Sequence, residues 1–347
     1  MAFTIALDAM GGDRAPAAVI DGASRACAVN PELRFLIAGD AAAIEPLVAR
    51  DARLAERSEL LHTVERIEAD AKPSVALRQG RNSSMRLAID AVKSGEAHAV
   101  VSSGNTGALM AMAKVVLKTL PGIDRPAIAS VIPGRKPVVM LDLGANAQCE
   151  THHLVQFAVM GEVYARAVLG LSRPSVALLN IGTEDLKGDD VVRNAAAVLR
   201  ESALKIEFSG FVEGYDVLKG TVDVVVTDGF TGNVALKVAE GTVAMLGSYF
   251  REAFSSSWRA RLGYLLAKPA LSHVQRRLDP RRHNGAMFLG LNGIVVKSHG
   301  GTDGLGFGNA IKVAAELVGQ DANRRITDEL AQVGGFDSHG AQHLAAS

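Results

Sequence analysis

Five short segments of this 347-residue chain combine glycine with aspartate, asparagine, serine or threonine. They read DAMGGD (8–13), SSGNTG (102–107), DLGAN (142–146), NIGTEDLKG (180–188) and DGFTGN (228–233). Each follows a short apolar run and precedes a stretch with helical periodicity, which is typical of a strand, a turn and a helix in succession. These are the positions at which the sequence concentrates side chains that could do chemistry.

The chemistry that such segments suit is the binding of an oxyanion. Glycine lets backbone N–H groups approach a ligand closely, and the helix that follows adds the positive end of its dipole. Any one such turn, taken alone, is better explained as a helix cap. Capping does not require glycine with aspartate or asparagine at nearly every strand exit, so the five segments together favour a phosphate or a similar anion.

Other familiar site signatures are missing from the sequence. No G-x-x-x-x-G-K-[ST] or G-x-G-x-x-G motif occurs, so neither P-loop nucleotide chemistry nor a nicotinamide cofactor is indicated. HExxH, GxSxG and paired-cysteine patterns are also missing. Asp8 and Asp13 flank a Gly-Gly turn, and carboxylates in such a place more often fix the turn than bind a metal. His152 and His153 are adjacent and are expected to point apart on a helix, which does not suit a shared metal. We therefore expect no metal and no cofactor.

Two lysines stand out among the polar segments. Lys187 lies in a loop bounded by Gly182 and Gly188, and Lys297 precedes His299 in the segment 292–301. A surface lysine is usually only a solvated charge. A lysine in a glycine-bounded loop at a strand exit is a reasonable ligand for an anion.

Short apolar runs alternate with helical patterns along most of the chain. The predicted strands are Phe3 to Asp8, Leu33 to Ala38, Ala97 to Ser102, Ala127 to Ile132, Val138 to Leu143, Ser175 to Asn180 and Val222 to Thr227. The predicted helices include Ala15 to Val29, Ser84 to Lys93, Thr106 to Leu120, His152 to Leu169 and Val234 to Phe254. This alternation predicts an α/β fold, a doubly wound and mostly parallel sheet in a three-layer α/β/α sandwich.

The domain organisation follows from the same pattern. Residues 1–333 are predicted to form one large α/β unit, from which a basic amphipathic helical segment at 245–285 protrudes, and residues 334–347 form a flexible tail. Ligands of such sheets bind where strand carboxyl ends meet helix amino ends. The five polar segments are therefore expected to surround a single crevice.

Composition limits the classes of function. Apolar residues make up 48% of the chain and charged residues 21%, which suits a large folded core. The formal net charge is zero, which gives no overall electrostatic reason to expect nucleic-acid binding. Cys27 and Cys149 have no metal or redox spacing, and no signal peptide or run of about 18 apolar residues is present. A cytoplasmic protein that touches a membrane peripherally is expected.

The polar segments resemble, in order, motifs of the PlsX family of acyl carrier protein–phosphate acyltransferases. The resemblance runs through DAMGGD, SSGNTGAL, DLGAN, NIGTEDLKG, DGFTGNV and GLNGIVVKSHG, from the first strand to about residue 330. Each motif is only moderately specific, but six in register are highly specific together. The family usually has alanine where Ser103 stands, and commonly has Val-Asp where this chain has Ala147-Gln148.

The resemblance implies a homodimer related to phosphotransacetylases. It implies transfer of a long-chain acyl group from acyl carrier protein to inorganic phosphate, giving acyl-phosphate for glycerophospholipid synthesis by a membrane glycerol-3-phosphate acyltransferase. Such a reaction must mainly hold two anionic partners in line and stabilise the thioester oxyanion, because phosphate is already a nucleophile.

Site residues are assigned on this basis, as hypotheses. The catalytic residues are expected to be Lys187, Asp228 and Asn233. Lys187 would stabilise the charge of the reacting groups, and Asp228 would orient them. Substrate or phosphate contacts are expected from Asp8, Gly11, Gly12, Ser103, Gly104, Asn105, Thr106, Asp142, Asn146, Asn180, Gly182, Gly229, Thr231, Gly232, Lys297 and His299.

A basic amphipathic segment covers residues 251–283. It holds eight Arg or Lys against two acidic residues, with apolar side chains at helical spacing. An ordinary helical pair packed on the body or on a dimer partner is one interpretation. An anionic membrane surface or the acidic carrier protein is the other, and the resemblance favours both. The contacts expected are Trp258, Arg259, Arg261, Leu262 and Leu265.

Three alternatives remain open from the sequence. A phosphotransacetylase-like enzyme acting on acyl-CoA shares the expected fold and differs only in the thioester carrier. A metal- and NAD-dependent decarboxylating dehydrogenase requires clustered carboxylates that cannot be placed here. A membrane-recruited scaffold without activity has no reason to keep so many polar glycine segments.

Overall fold

A computed structural model of the chain describes residues 3–202, 204 and 206–332, and its strands form one sheet. The strands are β1 (Phe3–Asp8), β2 (Leu33–Gly39), β3 (Ser58–His62), β4 (Ala99–Ser102), β5 (Ala127–Ile132), β6 (Val138–Leu141), β7 (Ser175–Leu179), β8 (Glu207–Val212), β9 (Val224–Val226), β10 (Ala286–Leu289) and β11 (Ile294–Lys297). Their order across the sheet is β3-β2-β1-β4-β11-β10-β5-β6-β9-β7-β8.

Helices fill most of the connections between the strands; β5 leads directly to β6, and β10 to β11, without one. They are α1 (Ala17–Val29), α2 (Ala41–Val48), α3 (Ala52–Ala55), α4 (Pro73–Gln79), α5 (Ser84–Ser94), α6 (Thr106–Leu117), α7 (Thr151–Leu169), α8 (Asp190–Glu201), α9 (Gly214–Lys219), α10 (Gly229–Ser255), α11 (Trp258–Leu278), α12 (Gly304–Gly319) and α13 (Ala322–Gln332). A 3-10 turn, Pro280–His283, leads from α11 into β10.

Two hydrophobic clusters lie on the two faces of the sheet. One packs side chains of α1, α7, α8, α12 and α13 against the sheet, and includes the fully buried Tyr164 and Phe157. The other packs α4, α5 and α6 against the opposite face, around Met112 and Phe288. Strands between two helical layers bury both of their faces, which explains apolar runs such as Val224–Val226. The predicted three-layer α/β/α sandwich is confirmed.

The sheet is mixed, and its halves run in opposite directions. β1, β2, β3, β4 and β11 pair in parallel with one another, and β6, β7, β8 and β9 do the same in the other half. Between them, β10 pairs antiparallel with β11 and β5, and β5 pairs antiparallel with β6. The two parallel halves are therefore antiparallel to each other.

Each of the seven predicted strands is present, although several begin or end one or two residues inside the predicted limits. Four strands were missed: β3, β8, β10 and β11. β3 and β8 are the edge strands of the sheet and carry polar or exposed residues, so they lack the apolar run of a central strand. β10 and β11 are only four residues long, and β11 lies within a segment interpreted as a polar motif.

α10 and α11 form a helical pair that projects from the body. Among the described side chains, the only buried residues of α10 are Gly229 and Gly232 in its first turn, and α11 has none. Trp258 is 70% exposed and Leu265 63% exposed. The protruding helical segment is therefore present as predicted. Among the residues described, no helix is both long and apolar enough to cross a membrane. The predicted tail, 334–347, lies outside the described residues.

Candidate active site

The strand directions divide the five polar segments between the two ends of the sheet. Segments 8–13 and 102–107 leave β1 and β4, which run one way. Segments 142–146, 180–188 and 228–233 leave β6, β7 and β9, which run the other way. The prediction of one crevice took the carboxyl ends of these strands to lie at one edge of the sheet, and the reversed strands place them at two ends. Whether the five segments share a crevice stays a prediction.

Hydrogen bonds gather the segments into two clusters. In the Asp8 cluster (residues 8–13, 102–107 and 297–303), the Asp13 N–H donates to Gly300 O at 2.9 Å and the Ser298 N–H to Ser102 O at 2.8 Å. In the Asp142 cluster (residues 142–146 and 228–233), the Gly229 N–H donates to Asn146 O at 2.8 Å.

Asp8 organises the first cluster from a fully buried position. Its carboxylate accepts hydrogen bonds of 2.6 Å from Ser84 Oγ and 2.6 Å from Ser102 Oγ, and further ones from the backbone of Met10 and Gly11. Burial raises the pKa of Asp8, and the hydrogen bonds oppose that rise. Because the partners can all donate, the arrangement stabilises the ionised carboxylate.

Lys297 brings a cation to the same place. It is half-buried at the end of β11, and its ammonium donates to Ser298 O. Burial lowers the pKa of Lys297 to about 8, while the charges of Asp8 and Asp13 act in the opposite direction. At neutral pH the side chain is therefore a charged but poorly solvated ammonium, which the charges of two carboxylates help to stabilise. Such a cation is suited to holding an incoming oxyanion.

His299 extends from the cluster into solvent. Its Nδ1 accepts a hydrogen bond of 3.2 Å from the Gly301 N–H, so the neutral ring carries its proton on Nε2. The backbone N–H of His299 donates to Asn284 Oδ1 at 2.9 Å. The exposed Nε2–H is thus an available donor two residues from Lys297.

The glycines of segment 8–13 are required by close packing. A Cβ on Gly11 would lie 2.5 Å from Asp8 Oδ2 and 2.7 Å from the Gly104 nitrogen. Gly12 has a φ of +95°, and a Cβ there would lie 2.7 Å from Ser103 Oγ. The Ser103 hydroxyl donates to Gly11 O at 2.7 Å. The turn therefore packs directly against segment 102–107.

Asn105 caps α6 and has little capacity left for a ligand. Its Oδ1 accepts from the Ala108 N–H at 2.9 Å, and its Nδ2 donates to Ala69 O and Ala71 O at 2.8 and 3.0 Å. The backbone N–H groups of Thr106 and Gly107 belong to the exposed first turn of the helix and have no hydrogen-bond partner within the described ranges. Free N–H groups at a helix amino end are suited to an anion.

Asp142 plays the organising role in the second cluster. It is fully buried, and its carboxylate accepts from the backbone N–H groups of Ile128, Gly144, Ala145 and Asn146 at 2.7–3.1 Å. The Asn146 amide also donates to it at 2.9 Å. Burial raises the pKa of Asp142. These contacts fix the shape of segment 142–146, and they occupy the Asp142 carboxylate.

Segment 228–233 begins α10 and is not a loop, so the predicted start of this helix at Val234 was late. Asp228 is its N-cap, and its Oδ1 accepts from the Thr231 N–H at 2.9 Å. A Cβ on Gly232 would lie 1.9 Å from Asp142 O, so this glycine lets the helix pack on segment 142–146. The Asn233 amide makes no hydrogen bond with any described residue, which leaves it open to a ligand.

Segment 180–188 folds into a loop of its own. Asn180 Nδ2 donates to Lys187 O at 3.0 Å, and Gly188 has a φ of +88° beside the Asn180 side chain. Gly182 is buried against the stem of Lys187. The Lys187 ammonium is exposed and has no partner in the described part of the chain. No described hydrogen bond or ion pair joins Lys187 to either cluster.

His152 and His153 do not point apart as predicted, because both lie in the first turn of α7. Their ring centroids are 3.9 Å apart, and with Asp124 they form a group that could hold a metal ion. Each ring is already engaged: His152 Nε2 contacts Asp124 Oδ2 at 2.8 Å, and His153 Nδ1 accepts from the Glu150 N–H at 3.0 Å. Burial lowers the pKa of His153 to about 4. The capping bond of His153 argues against it as a metal ligand.

Sequence reasoning missed Ser84, Ser298 and Asn284, all of which support the Asp8 cluster. Ser84 was predicted only as the start of a helix, and Ser298 lies inside a quoted motif between two residues that were chosen. Asn284 carries no signal in the sequence, because its contacts with Ser298 and His299 depend on how the 3-10 turn returns to the sheet.

The fold and the two clusters define an α/β protein of the phosphotransacetylase type. The chain is similar in structure to the EutD phosphotransacetylase from Staphylococcus aureus, with a TM-score of 0.56, 18% identity and coverage of 93% of this chain and 94% of that one. A phosphotransacetylase from Streptococcus pyogenes gives a TM-score of 0.58 at 16% identity, covering 91% and 94%. At these identities the likeness concerns the fold.

The sequence comparison is more specific. Residues 3–325 match the family described as fatty acid synthesis protein, and the chain belongs to that family. It is 59% identical over 332 residues to a phosphate acyltransferase of Rhodospirillum rubrum, covering 95% of both chains. It is 59% identical over 329 residues to one of Paramagnetospirillum magneticum, covering 94% of both. The resemblance found in the motifs is confirmed, and the protein is an acyltransferase.

Proposed function

We propose that the protein transfers a long-chain acyl group from acyl carrier protein to inorganic phosphate, giving acyl-phosphate for glycerophospholipid synthesis. The observation that carries the proposal is Lys297, a half-buried cation at the end of β11 whose charge interacts with those of Asp8 and Asp13. The relatives named phosphate acyltransferase support phosphate as the acceptor.

Phosphate is proposed to bind at the Asp8 cluster. The Lys297 ammonium supplies the charge, and the His299 Nε2–H and the free N–H groups of Thr106 and Gly107 supply donors. Asp8 and Asp13 prevent the site from being strongly cationic, so product can leave. Gly11, Gly12, Ser103 and Gly104 act by shaping the turn, and Asn105 acts by capping α6.

The proposed reaction needs no enzyme nucleophile. A phosphate oxygen attacks the thioester carbonyl carbon and forms the new C–O bond. The C–S bond then breaks, its electron pair leaves with sulfur, and the carrier thiolate takes a proton from solvent. A thiol of pKa about 8.5 is a competent leaving group, so the protein chiefly positions the two substrates and stabilises the oxyanion.

The groups assigned to the oxyanion and the carrier are in the other half of the sheet. Lys187, Asp228 and Asn233 are proposed to act on the acyl thioester, with segments 142–146, 180–182 and 229–232 as their framework. Six steps separate β1 from β9, and a twist of roughly 20–25° per step adds up to about 120–150°. Because the two strands are antiparallel, this twist turns their carboxyl ends towards a common side, which supports one cleft served by both clusters.

The projecting helices α10 and α11 are proposed to serve a homodimer and a membrane surface. Arg259 and Arg261 lie beside the exposed apolar side chains of Trp258, Leu262 and Leu265. Such a surface suits anionic lipid or the acidic carrier protein. Peripheral attachment of a cytoplasmic enzyme would bring acyl-phosphate close to a membrane glycerol-3-phosphate acyltransferase.

The test is thioester loss from palmitoyl-acyl carrier protein with and without inorganic phosphate, with palmitoyl-CoA in parallel. Phosphate-dependent loss that yields acyl-phosphate is expected with the carrier protein, and Lys297→Met should abolish it. Turnover of palmitoyl-CoA alone would place the enzyme with the phosphotransacetylases that share its fold. Inactivity with both donors would contradict the proposal and favour a scaffold.

A further inference from the structure

The segment that carries Lys297 and His299 is held in place by one side chain that lies outside it. Asn284 follows the 3-10 turn and precedes β10, and it is half-buried. Its Nδ2 donates to Ser298 Oγ at 2.7 Å and to Gly306 O at 2.8 Å, and its Oδ1 accepts from the His299 N–H at 2.9 Å. A single amide thus bonds both sides of the segment.

These contacts hold segment 297–303 at His299, whose N–H makes no backbone–backbone hydrogen bond with a described residue. Ser298 is anchored to β4 through Ser102 O, and Gly300 is anchored by the Asp13 N–H. The main-chain N–H of His299, between these two anchors, bonds only to Asn284 among the described residues. The main-chain position of His299, from which its ring extends, therefore depends on this amide, and the ring itself accepts from the Gly301 N–H.

The same amide also fixes the carbonyl that receives the Lys297 ammonium. Lys297 donates to Ser298 O, and Ser298 is held on its other side through its hydroxyl by Asn284. Gly306 O belongs to the first turn of α12, so Asn284 additionally ties the segment to that helix. A change in the Asn284 side chain would release the cation and the imidazole together.

We infer that Asn284 is a positioning residue for phosphate, which holds Lys297 and His299 in the geometry that binds this substrate. The inference rests on the proposed function. Asn284 touches neither substrate; it acts through Ser298 and His299. A displacement of about 1 Å at a reacting centre can cost on the order of 100-fold in rate, which sets the scale of the expected effect.

The experiment compares Asn284→Ala with Asn309→Ala in the phosphate-dependent assay with palmitoyl-acyl carrier protein. Asn284 and Asn309 both line a cavity next to Tyr164 and Lys312. Asn309 is a matched control, because its amide donates to Arg281 O at 2.8 Å and makes no hydrogen bond with residues 297–303 among those described. Asn284→Ala should raise KM for phosphate about tenfold or more and leave KM for the acyl carrier protein unchanged. Asn309→Ala should leave both unchanged.

A purely structural role would give a different pattern. Loss of folded enzyme would lower kcat and leave both KM values as they are, and that result would overturn the inference. Asn284→Asp keeps an oxygen for the His299 N–H and an acceptor for the Ser298 hydroxyl, so it should recover part of the phosphate affinity. No recovery, together with an unchanged KM in Asn284→Ala, would also overturn it.

Ser298→Ala alone should also raise KM for phosphate, which keeps the inference testable if Asn284→Ala folds poorly, and where both variants fold a double-mutant cycle gives a further test. Asn284→Ala and Ser298→Ala remove the same hydrogen bond, so their effects on kcat/KM for phosphate should be clearly less than additive. Additive effects would contradict the inference. Lys297→Met separates the two proposals. If Lys297→Met keeps full activity, the proposed phosphate site is wrong. If Lys297→Met is inactive while Asn284→Ala has the activity of the wild type, only the role of Asn284 is refuted.

Discussion

The Oδ2 atom of Asp8 accepts a hydrogen bond of 2.6 Å from Ser102 Oγ, and this contact joins the end of β1 to the end of β4. The Ser102 Oγ also accepts from the Gly104 N–H at 3.0 Å, so the buried carboxylate determines the shape of both turns. Lys297 ends the next strand of the sheet and lies within the field of the same carboxylate. The electrostatics of the proposed phosphate site therefore depend on Asp8.

The pH dependence of activity should report the deprotonation of the Lys297 ammonium. Burial lowers the pKa of Lys297 to about 8, so the charged form is lost as pH rises through that value. If the charged form binds phosphate, kcat/KM for phosphate should fall above pH 8. The profile is measured with palmitoyl-acyl carrier protein, with spontaneous thioester hydrolysis subtracted at each pH.

The pH at which kcat/KM falls, the alkaline limb of the profile, should depend on the charges of Asp8 and Asp13. Asp8→Asn and Asp13→Asn remove charges that raise the pKa of Lys297, so both should move the limb to lower pH, and Asp8→Asn should move it further. Lys297→Arg should abolish the limb in the measurable range, since arginine stays protonated. A limb at the same pH in all four proteins would assign it to another group.

A methyl group at Gly11 should disrupt the Asp8 cluster. A Cβ there would lie 2.5 Å from Asp8 Oδ2, and the backbone nitrogen of Gly104 leaves no space on the other side. Gly11→Ala is expected to reduce kcat/KM more than tenfold and to destabilise the fold by about 1–3 kcal/mol. Activity assays and urea denaturation measure the two effects.

Gly214→Ala provides the matched control for that substitution. A Cβ on Gly214 meets no atom within 4 Å, and the residue begins the short helix α9 at the surface. This variant should keep its activity and be at least as stable as the parent, because alanine favours the helix. Equal behaviour of Gly11→Ala and Gly214→Ala would show that segment 8–13 is not part of the active site.

The order of strands and helices could largely be predicted from the sequence, but their directions could not. Central strands such as Val224–Val226 are apolar on both faces and are recognised from composition alone. The reversal of β5 and β10 has no local signature, because an antiparallel strand within a helical sandwich buries the same side chains as a parallel one. The position of the polar segments within the fold followed from that reversal.

The candidate site shows the same limit at the level of single residues. Glycines were predicted to approach an anion, yet Gly232 instead packs against Asp142 O and Gly188 against Asn180. Both uses require the same small residue at a strand exit, and only the tertiary contacts distinguish them. Residues that act through other residues, such as Asn284, cannot be predicted from a motif.

The buried hydroxyl of Tyr164 should be dispensable for stability. Tyr164 is 1% exposed, and its hydroxyl has no hydrogen-bond partner in the described part of the chain. Removing an unpaired buried hydroxyl relieves a desolvation cost, so Tyr164→Phe should be as stable as the parent or more stable by about 1 kcal/mol. Urea denaturation gives the comparison, and a loss of stability would reveal a partner such as a bound water.

The single tryptophan makes the projecting helices easy to test. Trp258 is 70% exposed at the start of α11, beside Arg259 and Arg261. Vesicles that contain anionic phospholipid should shift its emission to shorter wavelength, and zwitterionic vesicles should not. Raising the salt from about 50 to 500 mM should weaken binding several-fold, because added salt screens the attraction between the arginines and the lipid.

Leu265→Glu tests whether the apolar face itself enters the lipid. Leu265 is 63% exposed, and a carboxylate there opposes both the hydrophobic contact and the anionic surface, so vesicle binding should fall about tenfold or more. Val29→Glu is the matched control, because Val29 is 83% exposed at the end of α1, outside the projecting pair. Light scattering of the same proteins tests the other interpretation, in which this face is a dimer contact. If Leu265→Glu converts a dimer to a monomer and leaves vesicle binding unchanged, the face joins two copies of the chain and does not bind lipid.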